Sequence, residues 1–273
     1  MNVLEVDQLK IWDSLTGSVL VPGSSFCLRQ GECLAIVGES GSGKSLTCRA
    51  VMRLNATRLH QSGSIILKGV NLSELSEKDM RKVRGKQLCM IMQNGMRAFD
   101  PSRPVGAHLR ETLSVHYDWK REEAAEKLMQ ALESVGLNDP GAVMSRYPHE
   151  LSGGMLQRIM IALAIVLEPD IIIADEPTTA LDTVTQYEVV EQFLQLRRRI
   201  GSSMIFVTHD LGVVQRIADE MLVMKDGEIV ERWATGDILT QARHPYTRYL
   251  VSTKMALNHN FMKLMGGNHV AKG

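Results

Sequence analysis

The chain has 273 residues, 44% of them hydrophobic, enough to bury one sizeable core with appendages. Its 31 basic residues are balanced by 31 acidic ones, so no global positive field draws it to a polyanion and no nucleic-acid partner is expected. The longest unbroken apolar run, Ile159 to Leu167, is about half of what a membrane crossing needs, so any work at a membrane passes through a partner.

Residues 1–32 alternate apolar and polar positions in short pieces (Val3-Leu4-Glu5-Val6, Ser25-Phe26-Cys27-Leu28) broken by Gly17, Pro22-Gly23 and Gly31, which predicts antiparallel strands. The N-terminus lacks a basic segment followed by an apolar one, so no leader is expected. Trp12 lies in this layer, where its indole can either stack on a flat ligand such as adenine or pack the sheet. Cys27, Cys33, Cys48 and Cys89 show no CxxC spacing and read as small reduced core residues of a cytosolic protein.

Cys33 to Val37 predicts a buried strand, and Lys44 to Met52 a helix. Between them, Gly38-Glu39-Ser40-Gly41-Ser42-Gly43-Lys44-Ser45 fits the phosphate-binding pattern G-x-x-x-x-G-K-[ST]. Glycines let the backbone curl so that N–H groups, including that of Leu46, face phosphate oxygens, a concavity that a Cβ at Gly38 or Gly43 would obstruct. Lys44 can reach the terminal phosphates and the Ser45 hydroxyl can ligate Mg²⁺. The chain is therefore expected to bind a nucleotide, ATP with Mg²⁺.

Gly63 to Leu67 and Gln87 to Met92 predict further strands, the second ending at Gln93. A helical insert then runs from about 95 to 167; within it Ala125, Leu128, Leu132 and Val135 stripe a helix over 121–137, with Gly136 as its C-cap. Alternation of strands and helices resumes with a strand at 171–174, a helix at 184–199 carrying Tyr187, Val190 and Leu194 on one face, and a strand at 204–207. Two strands flank Asp226-Gly227, a strong hairpin signal. From about 235 the chain becomes a polar, partly helical extension to 273.

Strand 171–174 ends at Asp175-Glu176, placing two carboxylates at the carboxyl edge of an α/β sheet, where such sheets present ligands. Alone, the pair could merely cap the next turn. With a phosphate loop 130 residues upstream, Asp175 becomes a candidate for the Mg²⁺ shell and Glu176 for the base that orients or deprotonates water. Ser152-Gly153-Gly154 opens the helix that runs to Leu167, a second anion-accepting helix N-terminus. One phosphate loop needs no second cradle in the same site, so this one is expected to serve another subunit's nucleotide.

The order of these motifs resembles the ATP-binding cassette ATPases, over residues from about 3 to 250. The resemblance implies an α/β P-loop NTPase, RecA-like in its core, with an N-terminal antiparallel β-subdomain and an inserted α-helical signature subdomain. On that likeness residues 1–250 form the ATPase domain and 235–273 a C-terminal extension. It also implies roles. Gln93 joins the core to the insert and touches Mg²⁺ and water, and Ser152, Gly153 and Gly154 close on the γ-phosphate in trans. Asp182, in Thr179-Ala180-Leu181-Asp182, belongs to the loop between subunits, and His209 contacts the γ-phosphate. Met155 stands where the signature most often has glutamine.

Met92-Gln93-Asn94, Arg97 to Pro101, Ser152 to Arg158, Thr178 to Asp182 and His244-Pro245-Tyr246-Thr247 resemble ATPase subunits of the dipeptide, oligopeptide and nickel importers. Peptide members often carry a C-terminal cysteine cluster; here the last cysteine is Cys89, so no iron–sulfur centre is expected. The short tail, Ser42 to Cys48, the Met155-Leu156 signature and Leu181 to Tyr187 look closer to nickel and opine-type metallophore importers. This implies a second ATPase subunit as a heterodimer partner, two permeases, an external solute-binding protein and a peripheral place on the cytoplasmic membrane face. The alternatives are a dipeptide or oligopeptide importer subunit and, from another class, a soluble cassette ATPase acting on DNA or ribosomes. Met255, His259, Met262, Met265 and His269 in the tail fit no recognised metal spacing.

Overall fold

A computed structural model describes residues 1–93, 95–179, 182–236 and 241–253. The N-terminal half contains β1 (Asn2–Asp13), β2 (Val19–Arg29), β3 (Cys33–Val37), α1 (Lys44–Val51), β4 (Leu59–Leu67), β5 (Val70–Asn71), α2 (Glu77–Val83) and β6 (Leu88–Ile91). Four helices follow in succession, α3 (Val105–His116), α4 (Arg121–Ser134), α5 (Pro140–Ser145) and α6 (Gly153–Leu167). Alternation then resumes with β7 (Ile171–Asp175), α7 (Thr183–Ile200), β8 (Ser203–Val207), α8 (Leu211–Ile217), β9 (Glu220–Lys225) and β10 (Glu228–Ala234).

The strands form two sheets, an antiparallel one in the order β2-β1-β4-β5 and a mixed one in the order β10-β9-β3-β8-β7-β6. In the mixed sheet β6, β7, β8, β3 and β9 run parallel, and β10 returns antiparallel beside β9. Strands β3, β7 and β8 are buried along their whole length, hence their continuous apolar runs. The period-2 pleat splits each run between two cores. Ile171 and Ile173 join Leu34 and Ile36 against the antiparallel sheet and α1, while Ile172 and Ala174 join Phe193, Phe206 and the inserted helices. Each fully buried Ile or Phe contributes about 1.5–3 kcal/mol, so the parallel strands are firmly held between the two cores.

Their parallel direction decides where the chemistry falls. The segments leaving β3, β6, β7 and β8 all emerge on one edge, which brings together the loop ending at Ser45, Gln93, the Asp175-Glu176 pair and His209.

The hairpin reading of Asp226-Gly227 is matched by positive φ at both residues, 50° and 82°, the requirement of a type I′ turn. Helix α4 ends sooner than its stripe suggests: Val135 is the C-cap and Gly136, at φ +76°, follows it. The face chosen for α7 needs correction. Tyr187 is 59% exposed, and the buried positions are Val189, Val190, Phe193 and Leu196. Its ring instead lies under the Arg216 guanidinium, 3.7 Å from ring centroid to Cζ.

Candidate nucleotide site

The phosphate loop is shaped from both sides. At Gly38 an added Cβ would come within 2.2 Å of the Met224 carbonyl oxygen on β9, a clash with backbone that cannot yield. Gly43, at φ +98°, serves as N-cap of α1 in a left-handed conformation with no side chain capping the helix. The glycines therefore have a packing reason in addition to the phosphate reason. The turn at Gly227 braces the loop, donating its N–H to the Ser42 carbonyl at 3.1 Å. The first-turn N–H groups of α1 lack intrahelical acceptors, as in any helix, and no side chain caps them, which leaves a ready anion site. The Ser42 hydroxyl is buried there without a partner. An anion with several oxygens fits a cradle of this kind.

Lys44 is 4% exposed. Its ammonium donates to the Gly38 and Glu39 carbonyls at 2.8 Å each and stands 3.7 Å from Glu176 Oε1. Burial lowers its pKa, while the charges of Glu176 and Asp175 work to keep the proton on. Ser45 donates its hydroxyl to Asp175 Oδ1 at 2.7 Å, and Arg49 approaches Asp175 Oδ2 at 3.9 Å. Burial raises the Asp175 pKa against the hydrogen bond from Ser45 and the charge of Arg49. A buried carboxylate beside a serine hydroxyl is an oxygen-only donor set, the kind that Mg²⁺ takes.

Glu176 sits at φ 47°, a left-handed conformation that costs a non-glycine residue about 1 kcal/mol or more. It persists because its N–H is tied to the Val207 carbonyl at the end of β8, at 3.1 Å. Its Oε2 accepts from Gln93 Nε2 at 3.3 Å and from the Thr179 hydroxyl at 3.1 Å. Gln93 and Glu176, 83 residues apart, thus share one hydrogen bond at the sheet edge. His209 is exposed in the turn between β8 and α8, where Asp210 caps α8 through the N–H groups of Gly212 and Val213. Trp12, partly buried on β1, tilts against His60 with ring centroids 5.8 Å apart. Its neighbour Ile11 pairs with Val21, whose side chain reaches the Gly43 position, so the indole belongs to the layer that abuts the loop.

The second cradle is arranged differently. Ser152 is the N-cap of α6, its hydroxyl accepting from Met155 N–H at 3.2 Å, and both Ser152 and Gly153 are exposed. Asp182, also exposed, opens α7 by accepting from the Thr185 N–H and hydroxyl at 3.0 and 2.7 Å. Asn94, Ala180 and Leu181, and the tail from 254 onward with its His and Met residues, lie outside the described residues. Among the described residues no cluster of His, Cys, Asp and Glu could hold a further metal, and no helix is long and apolar enough to cross a membrane.

Three contributors were not singled out from sequence: Arg49 beside Asp175, the Gly227 brace, and Tyr246, whose hydroxyl accepts from Glu39 N–H at 2.8 Å. Arg49 sits one helical turn past Ser45, a spacing that could have flagged it. The other two are joined to the loop only by tertiary structure.

A loop that cradles phosphate, a serine–aspartate pair and a strained glutamate on one sheet edge define a nucleotide-hydrolysing class. Residues 21–179 match the family model described as ABC transporter, and the chain belongs to that family as an ATP-binding, ATP-hydrolysing subunit of the importer kind. The metal-staphylopine import system ATP-binding protein CntD of Staphylococcus aureus is 46% identical over 98% of this chain and 99% of its own length. The dipeptide transport ATP-binding protein DppD of Bacillus subtilis is 42% identical over 96% of this chain and 80% of its own length. Among solved structures, the ATP-binding cassette MJ0796, a dimer in a post-hydrolysis state bound to ADP and Pi, superposes with a TM-score of 0.75 at 24% identity, over 85% of this chain and 98% of that one. CbiO1 from Clostridium perfringens gives 0.74 at 22% identity, over 96% and 99%. These structural likenesses establish the fold.

Proposed function

We propose that this chain is the motor subunit of a bacterial importer for a metal–metallophore complex of opine type. The observation that carries the motor reading is the convergence at one sheet edge of Ser45 bonded to Asp175 and of Lys44 and Gln93 both engaged with Glu176. In this reading Gly38 to Leu46 hold the ATP phosphates, and Lys44 exchanges its carbonyl partners for phosphate oxygens. Ser45, Asp175 and Gln93 hold Mg²⁺, which neutralises phosphate charge when bound. Glu176 orients the attacking water and accepts its proton, steadied by Gln93 and Thr179. His209, exposed at the same edge, contacts the γ-phosphate, and Trp12 stacks on adenine.

Two such subunits sandwich ATP, each phosphate loop facing the partner's Ser152-Gly153-Gly154 and Asp182 segments. The exposure of Ser152, Gly153 and Asp182 supports this reading, as does the dimeric state of the structural neighbour MJ0796. ATP favours the closed pair because both faces bind its phosphates, and hydrolysis removes that preference. The second ATPase is a different chain. The pair works peripherally, on the cytoplasmic membrane face, through two permeases and an external solute-binding protein. The ATPase domain covers residues 1–250, with the helices inserted at about 95–167 as its signature subdomain and 235–273 as the C-terminal extension.

For the cargo, 46% identity to the metal-staphylopine import ATPase over 98% of this chain favours a metal complex. The 42% identity to the dipeptide transport ATPase of Bacillus subtilis keeps a dipeptide or oligopeptide as the second reading. The test is the reconstituted transporter with its solute-binding protein, loaded in turn with a nickel–opine complex, nickel alone or a dipeptide. Stimulation of ATP hydrolysis by the metal complex alone is expected; stimulation by the dipeptide alone would reassign the cargo.

A further inference from the structure

The segment 241–253 packs on the body of the molecule, with helical turns over 245–253. It is fastened at its start by Glu231 of β10, whose two carboxylate oxygens accept from the N–H groups of Arg243 at 2.7 Å and His244 at 3.3 Å. His244 Nδ1 in turn accepts from the Tyr246 N–H at 3.2 Å, which orients Tyr246 inward. The ring is only 8% exposed and packs with Ala35 and Val37 of β3, Val214 and Leu211 of α8, and Val251 of its own segment. Lys225, at the end of β9, places its ammonium 5.5 Å from the ring centroid.

From this seat the phenol reaches the Glu39 peptide, 207 positions away in sequence. That peptide has two polar ends, and both are engaged. The N–H of this Gly38–Glu39 unit is held by Tyr246 Oη at 2.8 Å, and the carbonyl of the same unit, that of Gly38, holds the Lys44 ammonium at 2.8 Å. Rotation of this one peptide would therefore disturb the carbonyl that parks Lys44 and the path of the loop from Gly38 to Ser42. The tyrosine is buried in the same apolar cluster as Ala35 and Val37 of β3, the strand that leads into the loop, so its hydroxyl ties the loop to that core. Burial, the largest influence on it, raises the phenol's pKa, so it remains neutral and can accept from an amide.

We propose that Tyr246 is a positioning residue that pre-organises the phosphate loop, making the C-terminal segment 241–253 part of the ATP-affinity machinery. It touches neither phosphate nor water in this scheme; it acts by removing loop conformations that cannot bind. A loop held in its competent conformation pays no ordering cost when ATP arrives, so losing the tie weakens binding more than it slows the chemical step. The proposal rests on the ATP-binding reading of the loop and goes beyond it, because no part of the phosphate-binding pattern includes this tyrosine.

The experiment compares wild-type protein with Tyr246→Phe, which keeps the ring and its packing and deletes only the hydroxyl, in the complex with the partner ATPase. ATP titration and steady-state kinetics are read together with thermal unfolding in the absence of nucleotide. The dissociation constant and KM for ATP should rise about three- to tenfold, the loss of one neutral hydrogen bond, while kcat at saturating ATP stays within about twofold. A second variant, Glu231→Ala, unfastens the segment upstream and should raise KM in the same direction with the Tyr246 hydroxyl intact. Unchanged ATP affinity in Tyr246→Phe, or a fall in kcat with KM unmoved, would overturn the proposal. Wild-type protein that fails to bind ATP would instead defeat the nucleotide reading itself, so the two failures are told apart.

Discussion

The two proposed places for phosphate in this chain are finished to different degrees. The loop at Gly38 to Ser45 is enclosed by its own chain: the β9 backbone presses on Gly38, Gly227 donates to Ser42, Tyr246 accepts from Glu39, and Lys44 is almost fully buried. The cradle at Ser152 to Gly154 is a helix N-terminus at the surface, capped by its own serine hydroxyl. The loop is shaped by its own chain, whereas the cradle stands open, as the proposed pairing with another chain requires of it.

The sharpest way to break this contrast is at the enclosed loop. Lys44→Ala should weaken ATP binding by more than about tenfold and remove turnover, whereas Glu176→Gln should keep ATP bound and lower turnover by about 10²- to 10⁴-fold. Nucleotide binding and phosphate-release assays on both variants check this, and unchanged steady-state hydrolysis in Glu176→Gln would remove the base assignment.

At the open cradle, Ser152→Asp is informative because aspartate caps a helix as well as serine does, so the fold should keep its melting temperature. Its charge opposes an incoming phosphate, and hydrolysis by the assembled pair should drop about tenfold or more while this chain's own loop binds ATP as before. Equal loss of binding and turnover would place Ser152 in the wrong site.

A smaller effect is expected at Trp12. Replacing it with alanine should weaken ATP binding about fivefold if the indole stacks on adenine. If it serves only to pack His60, calorimetry will register lost stability with affinity unchanged.

The mildest prediction concerns Asp175 without ligand. Its folded pKa is raised by burial, so the stability it contributes is present below its unfolded value and is lost as pH rises through the folded one. Asp175→Asn should therefore melt a few degrees above wild type near pH 7, with the gap closing toward pH 4, although it cannot support hydrolysis. A gap that widens on acidification would reverse the sign of this argument.

Much of the site was legible in sequence because it is local: a glycine pattern between a strand and a helix, and carboxylates after an apolar run. The Asp226-Gly227 turn was legible for the same reason, since left-handed backbone demands those residues. Tyr187 was misjudged because α7 carries overlapping apolar spacings, and an aromatic ring can satisfy itself at the surface under Arg216. Tyr246 belongs to a motif visible in the sequence, but its hydrogen bond to Glu39 spans 207 positions and depends on tertiary packing. No local pattern encodes such a contact. The strain at Glu176 was hidden as well, because it is imposed by β8 rather than by the residues beside it.

The central claim is that the enclosed loop hydrolyses ATP only when another chain's open cradle closes over it. The direct measurement is the rate of phosphate release per chain as an equimolar mixture of this subunit and its partner ATPase is diluted at saturating ATP. The account predicts that the rate per chain falls steeply once dilution separates the subunits and returns on reconcentration. A rate per chain that is independent of concentration and of the partner would contradict it.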